Sequence, residues 1–490
     1  MNKETSSINI KHPDKLFIDG KWVSPGSNNT LKVIAPHTEE IIFEVAEADK
    51  SDMETAVDAA RAAFDKGPWP RLAPTERAEY LARMKNVLTS RADEIAAAWT
   101  EQIGTLAGAS AFVTGSSIQL FDYYINMLDS YPFEETLAPT DGHGSAMIVR
   151  EPVGVIATIA PWNNPFGIMV AKIVPALLTG CTVIMKPAPE TPLDAYIIAE
   201  AAEEAGLPEG VLNLVPAGRD VSDHLVQQPG VDKVNFTGSV VAGQRIGAVC
   251  GERIARCTLE LGGKSPAIVL DDADIAHTAK VLASTITMSA GQVCATLSRA
   301  IVSAAHHDEL VDAVISEMAQ IKVGNPYEPD VGMGPLAMAR QRDRVESYIA
   351  LGQKEGANLV FGGKRPAGLN KGFYIEPTLF TEVARDMQIA QEEIFGPVLG
   401  VMTFDDEQEA IDIANDSDFG LYGAVFTQDA EKAYTFARAV RSGTMSHNIF
   451  RFDPALPFGG FKQSGIGREG GISAMHACTE LKSILLDREI

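Results

Sequence analysis

A chain of 490 residues, 46 % of them hydrophobic and 22 % charged, is long enough for two or three domains and has the balance of an ordinary globular protein. Its formal charge of −24 leaves no basic face for a phosphate backbone, so nucleic acid is excluded as a partner. No run of about 18 apolar residues is present, and the first residues, MNKETSSINIKHPDKLF, lack the apolar centre of a secretion signal, so the expectation is no membrane partner and a cytoplasmic location. The five cysteines, Cys181, Cys250, Cys257, Cys294 and Cys478, are odd in number and lack C-x-x-C spacing. They read as reduced thiols, with neither a disulfide framework nor a metal site expected.

In chain order, the first 130 or so residues read mainly as helices. SDMETAVDAARAAF is expected to open with a capping box from Ser51 to Glu54, and PTERAEYLARMKNVLTSRADEIAAAWTEQIG follows as a second long helical run. From about Ala146 the texture changes to β-rich runs: AMIVREPVGVIATIAPW, CTVIMKPAP, GVLNLVPA and DKVNFTGS, with TPLDAYIIAEAAEEAG as a helix among them. A second alternating series has KSPAIVL, RAIVSAA, VLGVMTF and GAVFT as strands, with DELVDAVISEMAQI and EQEAIDIAND as helices. Strands alternating with helices indicate parallel, doubly wound sheets. The fold class is therefore α/β in two lobes, divided near residues 260 to 265.

Several turns at strand ends carry residues with chemistry. In IAPWNNPF, Asn163 and Asn164 could donate to a developing oxyanion, although Asn before Pro is also a plain turn signal. Lys186 ends an apolar strand in IMKPAPETP, as an edge charge or as a ligand for a hydroxyl or phosphate. KVNFTGSVVAGQRIG runs from a strand through Gly238 and Ser239 into a helix bearing Gly243, a turn whose backbone amides can hold phosphate or can simply be a turn. Glu260, in LELGGKSP, lies among Leu259, Leu261 and glycines, where poor solvation would raise its pKa towards that of a general base; its alternative is a solvated edge. Cys294, in SAGQVCATLSRA, has small neighbours that leave its thiol reachable. QEEIFGPV sets Glu393 near Phe395 in a further strand-edge turn.

Taken together and in this order, PWNNP, MKPAPETP, FTGS, LELGGKSP, GQVC, EEIFGPV and PFGGFKQSGIGRE resemble the motif series of the NAD(P)-dependent aldehyde dehydrogenase superfamily, hydrolytic type, from Leu16 to the C-terminus. The resemblance implies two Rossmann-like lobes plus a small β oligomerisation arm: a cofactor-binding domain over 1–128 and 149–262, a catalytic domain over 263–452, and an arm from 129–148 and 471–490. It implies Cys294 as the nucleophile that forms a thiohemiacetal, Glu260 as the base, and Asn163 with the Cys294 backbone N–H as the oxyanion hole. The cofactor is expected to be NAD, with NADP possible. Lys186 would bind the adenosine ribose, Gly238 and Ser239 the pyrophosphate, and Gly243 would open the helix beneath it. Glu393 would hold the nicotinamide ribose, with Phe395, Trp162 and Leu261 beside the ring.

Three departures from the family pattern bear on specificity. Pro189 stands where NAD-preferring relatives carry Glu, with Glu190 one place later, and Arg219 is a candidate partner for a 2′-phosphate. Asn164 and Ala171 replace aromatic walls of the substrate tunnel, which with Ile168 and Phe458 suggests a wide site and a bulky hydrophobic or aromatic aldehyde. Arg451, in SHNIFRFDPALPF, could meet a substrate carboxylate and keeps a semialdehyde acid as the alternative. A CoA-acylating relative is a further alternative that Glu260 disfavours. A Cys-dependent hydrolase would need an activating histidine in a recognisable motif, and the sequence offers none. The partners expected are a small-molecule aldehyde and a second copy of the chain, as a homodimer or homotetramer.

Overall fold

The computed structural model describes residues 8–488. Two parallel sheets dominate it. In the first, five parallel strands lie in the order Arg256–Glu260, Lys233–Thr237, Val155–Ile159, Thr182–Lys186, Leu212–Leu214. Val155, Ala157 and Ile159 enter one core while Ile156, between them, enters the other, because successive side chains of a strand point to opposite faces. Both faces are covered: one by the helices Pro165–Leu178 and Leu193–Glu204, the other by Lys50–Asp65 and Val240–Arg253. That explains why these strands read as continuous apolar runs rather than alternating ones.

The chain leaves Val155–Ile159 in one direction along the sheet, then returns to place Lys233–Thr237 on the other flank of that same strand. This reversal opens a crevice at the carboxyl ends of the strands, the place where doubly wound sheets hold ligands. Pro161 to Asn164 and Gly238 to Ser239 line it from the two sides.

The second sheet has seven strands, in the order Asn358–Phe361, Thr378–Thr381, Val398–Phe404, Leu297–Ser303, Ser265–Val269, Tyr422–Phe426, Thr444–His447. It is parallel except for its first pair. The crossing between the sheets falls between Glu260 and Ser265, but the chain comes back: Gly465–Ile466 pairs with Leu259 and Glu260 on the edge of the first sheet. A third, three-stranded antiparallel sheet joins Thr479–Leu486, Ser145–Pro152 and Glu134–Leu137.

Several expectations are corrected. The N-terminal region is not mainly helical from its start: Leu16–Ile18 and Lys21–Val23 form a hairpin on the first sheet, and Thr30–Ala35 pairs with Glu40–Ala46. The capping box of the helix Lys50–Asp65 is Asp49 with Asp52, not Ser51 with Glu54; Asp49 accepts from the Ser51 and Asp52 amides, and Asp52 from the Asp49 amide. The long run from Pro74 is two helices, Pro74–Ser90 and Ala92–Ile103, because Arg91 leaves helical geometry at φ −110°, ψ 14°. The arm strand Ser145–Pro152 continues past 148, and the helix Gly471–His476 packs on Pro165–Leu178 rather than joining the arm. Residues 1–7 and 489–490, the ends of the first and last expected segments, lie outside the described residues. Among the described residues no helix is long and apolar enough to cross a membrane.

Candidate active site

The loop carrying Cys294 is shaped by backbone that few sequences would adopt. After the helix Ile275–Thr287 the chain passes through three residues at positive φ: Ser289 at 46°, Ala290 at 54° and Gly291 at 73°. Two of these bear a Cβ, so the turn is strained and must be held by its surroundings. Gln292 does part of this, its side chain donating to Ser289 O at 2.8 Å and accepting from Ala337 N at 2.9 Å. Glycines supply the remaining space. A Cβ on Gly291 would lie 2.2 Å from Gly396 O, and one on Gly263 would lie 2.3 Å from Cys294 O. The small residues of LELGGKSP and GQVC therefore let the nucleophile loop sit directly against the end of the first lobe.

Cys294 is half-buried, and the charges of Glu393 and Glu260 reach its thiol. Asn163 donates through its side-chain amide to Gln292 O at 2.9 Å, and its own carbonyl accepts from the Trp99 indole at 3.1 Å, so the amide is fixed beside the nucleophile loop with a second N–H remaining. Glu260 ends its strand almost fully buried, and neither carboxylate oxygen has a hydrogen-bond partner. Burial first, then the nearby Glu469 charge, push its pKa well above the usual carboxylate range, while Lys172 and Arg468 oppose them. A side chain on Gly459 would strike Glu260 Oε1 at 2.6 Å, so PFGG keeps this carboxylate unobstructed. Glu393 accepts from Gly263 N at 3.0 Å and is raised to about 7 by burial. Burial, then the charges of Glu393 and Glu260, push the Cys294 thiol up to about 12. Cys294 at rest is thus a neutral thiol that needs a base.

Lys172 and Glu469 were not singled out from the sequence. Lys172 is fully buried, donates to Asn235 Oδ1 at 2.9 Å, and forms an ion pair with Glu469. The partners are 297 residues apart, and only folding shows that their charges face Glu260.

The crevice suits an anionic dinucleotide. Ser239 is the N-cap of the 14-residue helix Val240–Arg253, whose first amides open towards it. A Cβ on Gly238 would meet the Phe236 ring at 2.4 Å, and one on Gly243 would meet the Leu261 side chain at 2.4 Å, so both are small to admit close packing. Leu261 itself is buried, its amide donating to Ser464 O at 2.9 Å. Lys186 is buried at the strand end; burial lowers its pKa to about 8, against the opposing pull of Glu190. Its ammonium makes no hydrogen bond within the described residues, and the Glu190 carboxylate is the charge that acts on it. Pro189 beside it is half-buried and offers no side-chain donor or acceptor. Trp162 and Phe395 meet edge to face at 5.3 Å, Phe395 sitting at φ 60°, and close the crevice on the Glu393 side.

Asn164 is the N-cap of Pro165–Leu178, accepting from Gly167 N at 3.1 Å, while Ile168 and Ala171 are half-buried on that helix. Aromatic rings gather on another segment, Phe450 to Phe458. Tyr422, Phe450, Phe452 and Phe458 form a chain of ring contacts with centroids 4.9 to 5.6 Å apart, and Phe450, Phe458 and Cys294 pack on one core cluster. The Arg451 backbone is clamped by the Tyr422 hydroxyl at 3.0 and 3.1 Å, leaving its side chain exposed. Phe450, Phe452 and Tyr422 escaped the sequence analysis; their signal was the aromatic spacing in NIFRFDPALPF.

A family model described as the aldehyde dehydrogenase family matches residues 22–484. A geranial dehydrogenase of Castellaniella defragrans is 40 % identical over 476 residues, covering 96 % of this chain and 98 % of the relative. A 3-succinoylsemialdehyde-pyridine dehydrogenase of a Pseudomonas species is 40 % identical over 484 residues, with the same coverage. Among solved structures, a Mycobacterium tuberculosis aldehyde dehydrogenase complexed with NAD+ is 43 % identical with a TM-score of 0.94, covering 98 % of this chain and 99 % of that one. A Staphylococcus aureus betaine aldehyde dehydrogenase in complex with NAD+ is 36 % identical with a TM-score of 0.96, covering 99 % and 97 %.

Proposed function

The chain belongs to the aldehyde dehydrogenase family, and on that premise we propose that it oxidises an aldehyde to a carboxylic acid on Cys294, with NAD as cofactor and water releasing the product. The observation that carries this reading is a desolvated, unpartnered Glu260 whose charge reaches Cys294, with the Asn163 amide fixed on Gln292 O two residues before the nucleophile. Glu260 takes the thiol proton, and the Cys294 sulfur adds to the aldehyde carbon to give a thiohemiacetal. The new oxyanion accepts from the free N–H of Asn163 and from the Cys294 backbone amide. Such a donor typically contributes about 3 to 4 kcal/mol of transition-state stabilisation. When bound, the nicotinamide supplies the hydride acceptor that turns the thiohemiacetal into a thioester. After passing the thiol proton to solvent, Glu260 removes a proton from water, whose oxygen attacks the thioester carbonyl; the C–S bond breaks, the acid departs and the Cys294 sulfur takes the proton from Glu260.

Lys186, Gly238, Ser239, Gly243, Leu261, Trp162, Glu393 and Phe395 are the residues that would hold the cofactor. The buried, unpartnered Lys186 supports this, as does the open helix N-terminus at Ser239. For the substrate, the apolar rings of Phe450, Phe452 and Phe458 favour a bulky hydrophobic or aromatic aldehyde, in keeping with the likeness to a geranial dehydrogenase. The exposed Arg451 side chain supports a second reading, a semialdehyde acid, in keeping with the likeness to the pyridine semialdehyde enzyme. Following nicotinamide reduction without CoA on citral, benzaldehyde, succinic semialdehyde and acetaldehyde separates these. Citral and benzaldehyde are expected to give the highest kcat/KM, and preference for succinic semialdehyde would establish the second reading. The arm, with Leu481 and Leu485 outward on its edge strand, supports assembly as a homodimer or homotetramer.

A further inference from the structure

Glu190 and Arg340 form an ion pair across the two lobes. Glu190 lies in the loop after the Thr182–Lys186 strand; Arg340 opens the helix Ala339–Glu355, 150 residues later. Their exposures differ: the Glu190 side chain is 22 % exposed and that of Arg340 67 %. The carboxylate is thus the more shielded member of the pair and the guanidinium the more exposed one. The same carboxylate is close enough to the buried Lys186 ammonium to favour its charged form. Arg219, one candidate from the sequence for a 2′-phosphate, has another neighbour: its charge acts on Asp223, which Arg245 engages through two bonds at 3.0 Å.

In parallel-sheet dinucleotide sites a carboxylate that accepts from the ribose 2′-hydroxyl selects NAD, whereas an arginine accommodates the 2′-phosphate of NADP. Pro189 can do neither. Here a carboxylate and an arginine are paired at one point, four residues beyond the ribose-binding candidate Lys186. We propose that Glu190 and Arg340 are an exchangeable ion pair that reads the 2′ position of the cofactor ribose. This rests on the crevice being a dinucleotide site. With a 2′-hydroxyl the pair stays closed and Glu190 accepts from the hydroxyl. With a 2′-phosphate, Arg340 leaves Glu190 for the phosphate oxygens, whose geometry matches its planar fork, and Glu190 turns to Lys186. No bond is made or broken; only charge partners are exchanged.

The test is titration calorimetry on the full chain with adenosine 5′-monophosphate and adenosine 2′,5′-bisphosphate, for the wild type, Glu190→Gln and Arg340→Met. Both side chains are at the surface of the cleft, and circular dichroism verifies that the variants fold. The ratio of bisphosphate to monophosphate affinity is expected to rise at least about tenfold in Glu190→Gln, which frees Arg340, and to fall at least about tenfold in Arg340→Met, the scale of one charge-assisted contact. A smaller change in either variant overturns the proposal. Failure of the wild type to bind either nucleotide would overturn the dinucleotide crevice itself, an outcome distinct from nucleotides that bind with an unmoved ratio.

Discussion

Cys294 carries a thiol raised to about 12 by burial and by Glu393 and Glu260, so its reactivity depends on proton removal rather than on a resting thiolate. Replacing it, as Cys294→Ala, is expected to abolish turnover while calorimetric binding of NAD+ persists; a folded variant that no longer binds would remove Cys294 from this position in the mechanism. Asn163→Ala should lower kcat by about 10²- to 10³-fold, and Glu260→Gln by about 10²- to 10⁴-fold, each measured at saturating aldehyde. The pH dependence has a sign set by the neighbours of Glu260. The base works deprotonated, so kcat/KM rises with pH through the raised Glu260 pKa. Glu469 pushes that pKa up and Lys172 pulls it down. Glu469→Gln should therefore move the acid limb of the pH profile to lower pH, and Lys172→Met should move it to higher pH. Shifts in the opposite directions would show that the pair does not act on Glu260. Cys294, Glu260 and Asn163 were legible as a set because their motifs occur in a recognisable order. Lys172, Glu469 and Arg340 were not, since their partners lie 297 and 150 residues away along the chain.

At the scale of elements, the nucleophile loop depends on the glycines that face it. Gly263→Ala would drive a Cβ into Cys294 O, at 2.3 Å in the unrelaxed structure. Backbone cannot yield as a side chain does, so the loop must move. The expected result is a loss of about 1 to 3 kcal/mol in stability, read as a lower denaturant midpoint, and a fall in kcat of at least about tenfold from the misplaced sulfur. Wild-type kcat in Gly263→Ala would show that the contact between the lobes does not position the thiol. The parallel strands were readable because burial on both faces makes them predominantly apolar, as in Val155–Ile159 and Ser265–Val269, where every residue is buried. The hairpin Thr30–Ala35 with Glu40–Ala46 was missed: its outward face carries Lys32, Glu40 and Glu44, which dilute any strand signal. The break at Arg91 has neither Gly nor Pro to announce it. The sequence singled out Asn164, the cap of Pro165–Leu178, and Ala171 on that helix as replacements for aromatic residues. It did not single out Phe450, Phe452 or Tyr422, whose rings gather only on folding.

For the whole molecule, the arm sheet leaves Leu481 and Leu485 exposed on its outermost strand, the kind of unpaired apolar edge that chains rarely leave open to water. Leu481→Asp with Leu485→Asp is expected to shift the mass found by light scattering from an oligomer to a monomer; an unchanged oligomer would place the interface elsewhere. The lobes meet where the first sheet's last strand, the nucleophile loop and the returning Gly465–Ile466 strand come together, so the catalytic groups exist as a set only in the intact chain. The central claim, that this junction performs covalent oxidation on Cys294, is tested most directly by acid-quenched mass spectrometry of the wild type, sampled through its first turnover with NAD+ and benzaldehyde. The account predicts a transient Cys294 peptide heavier by the aldehyde less two hydrogens, appearing together with the first NADH. NADH formed without that adduct on Cys294 would contradict it.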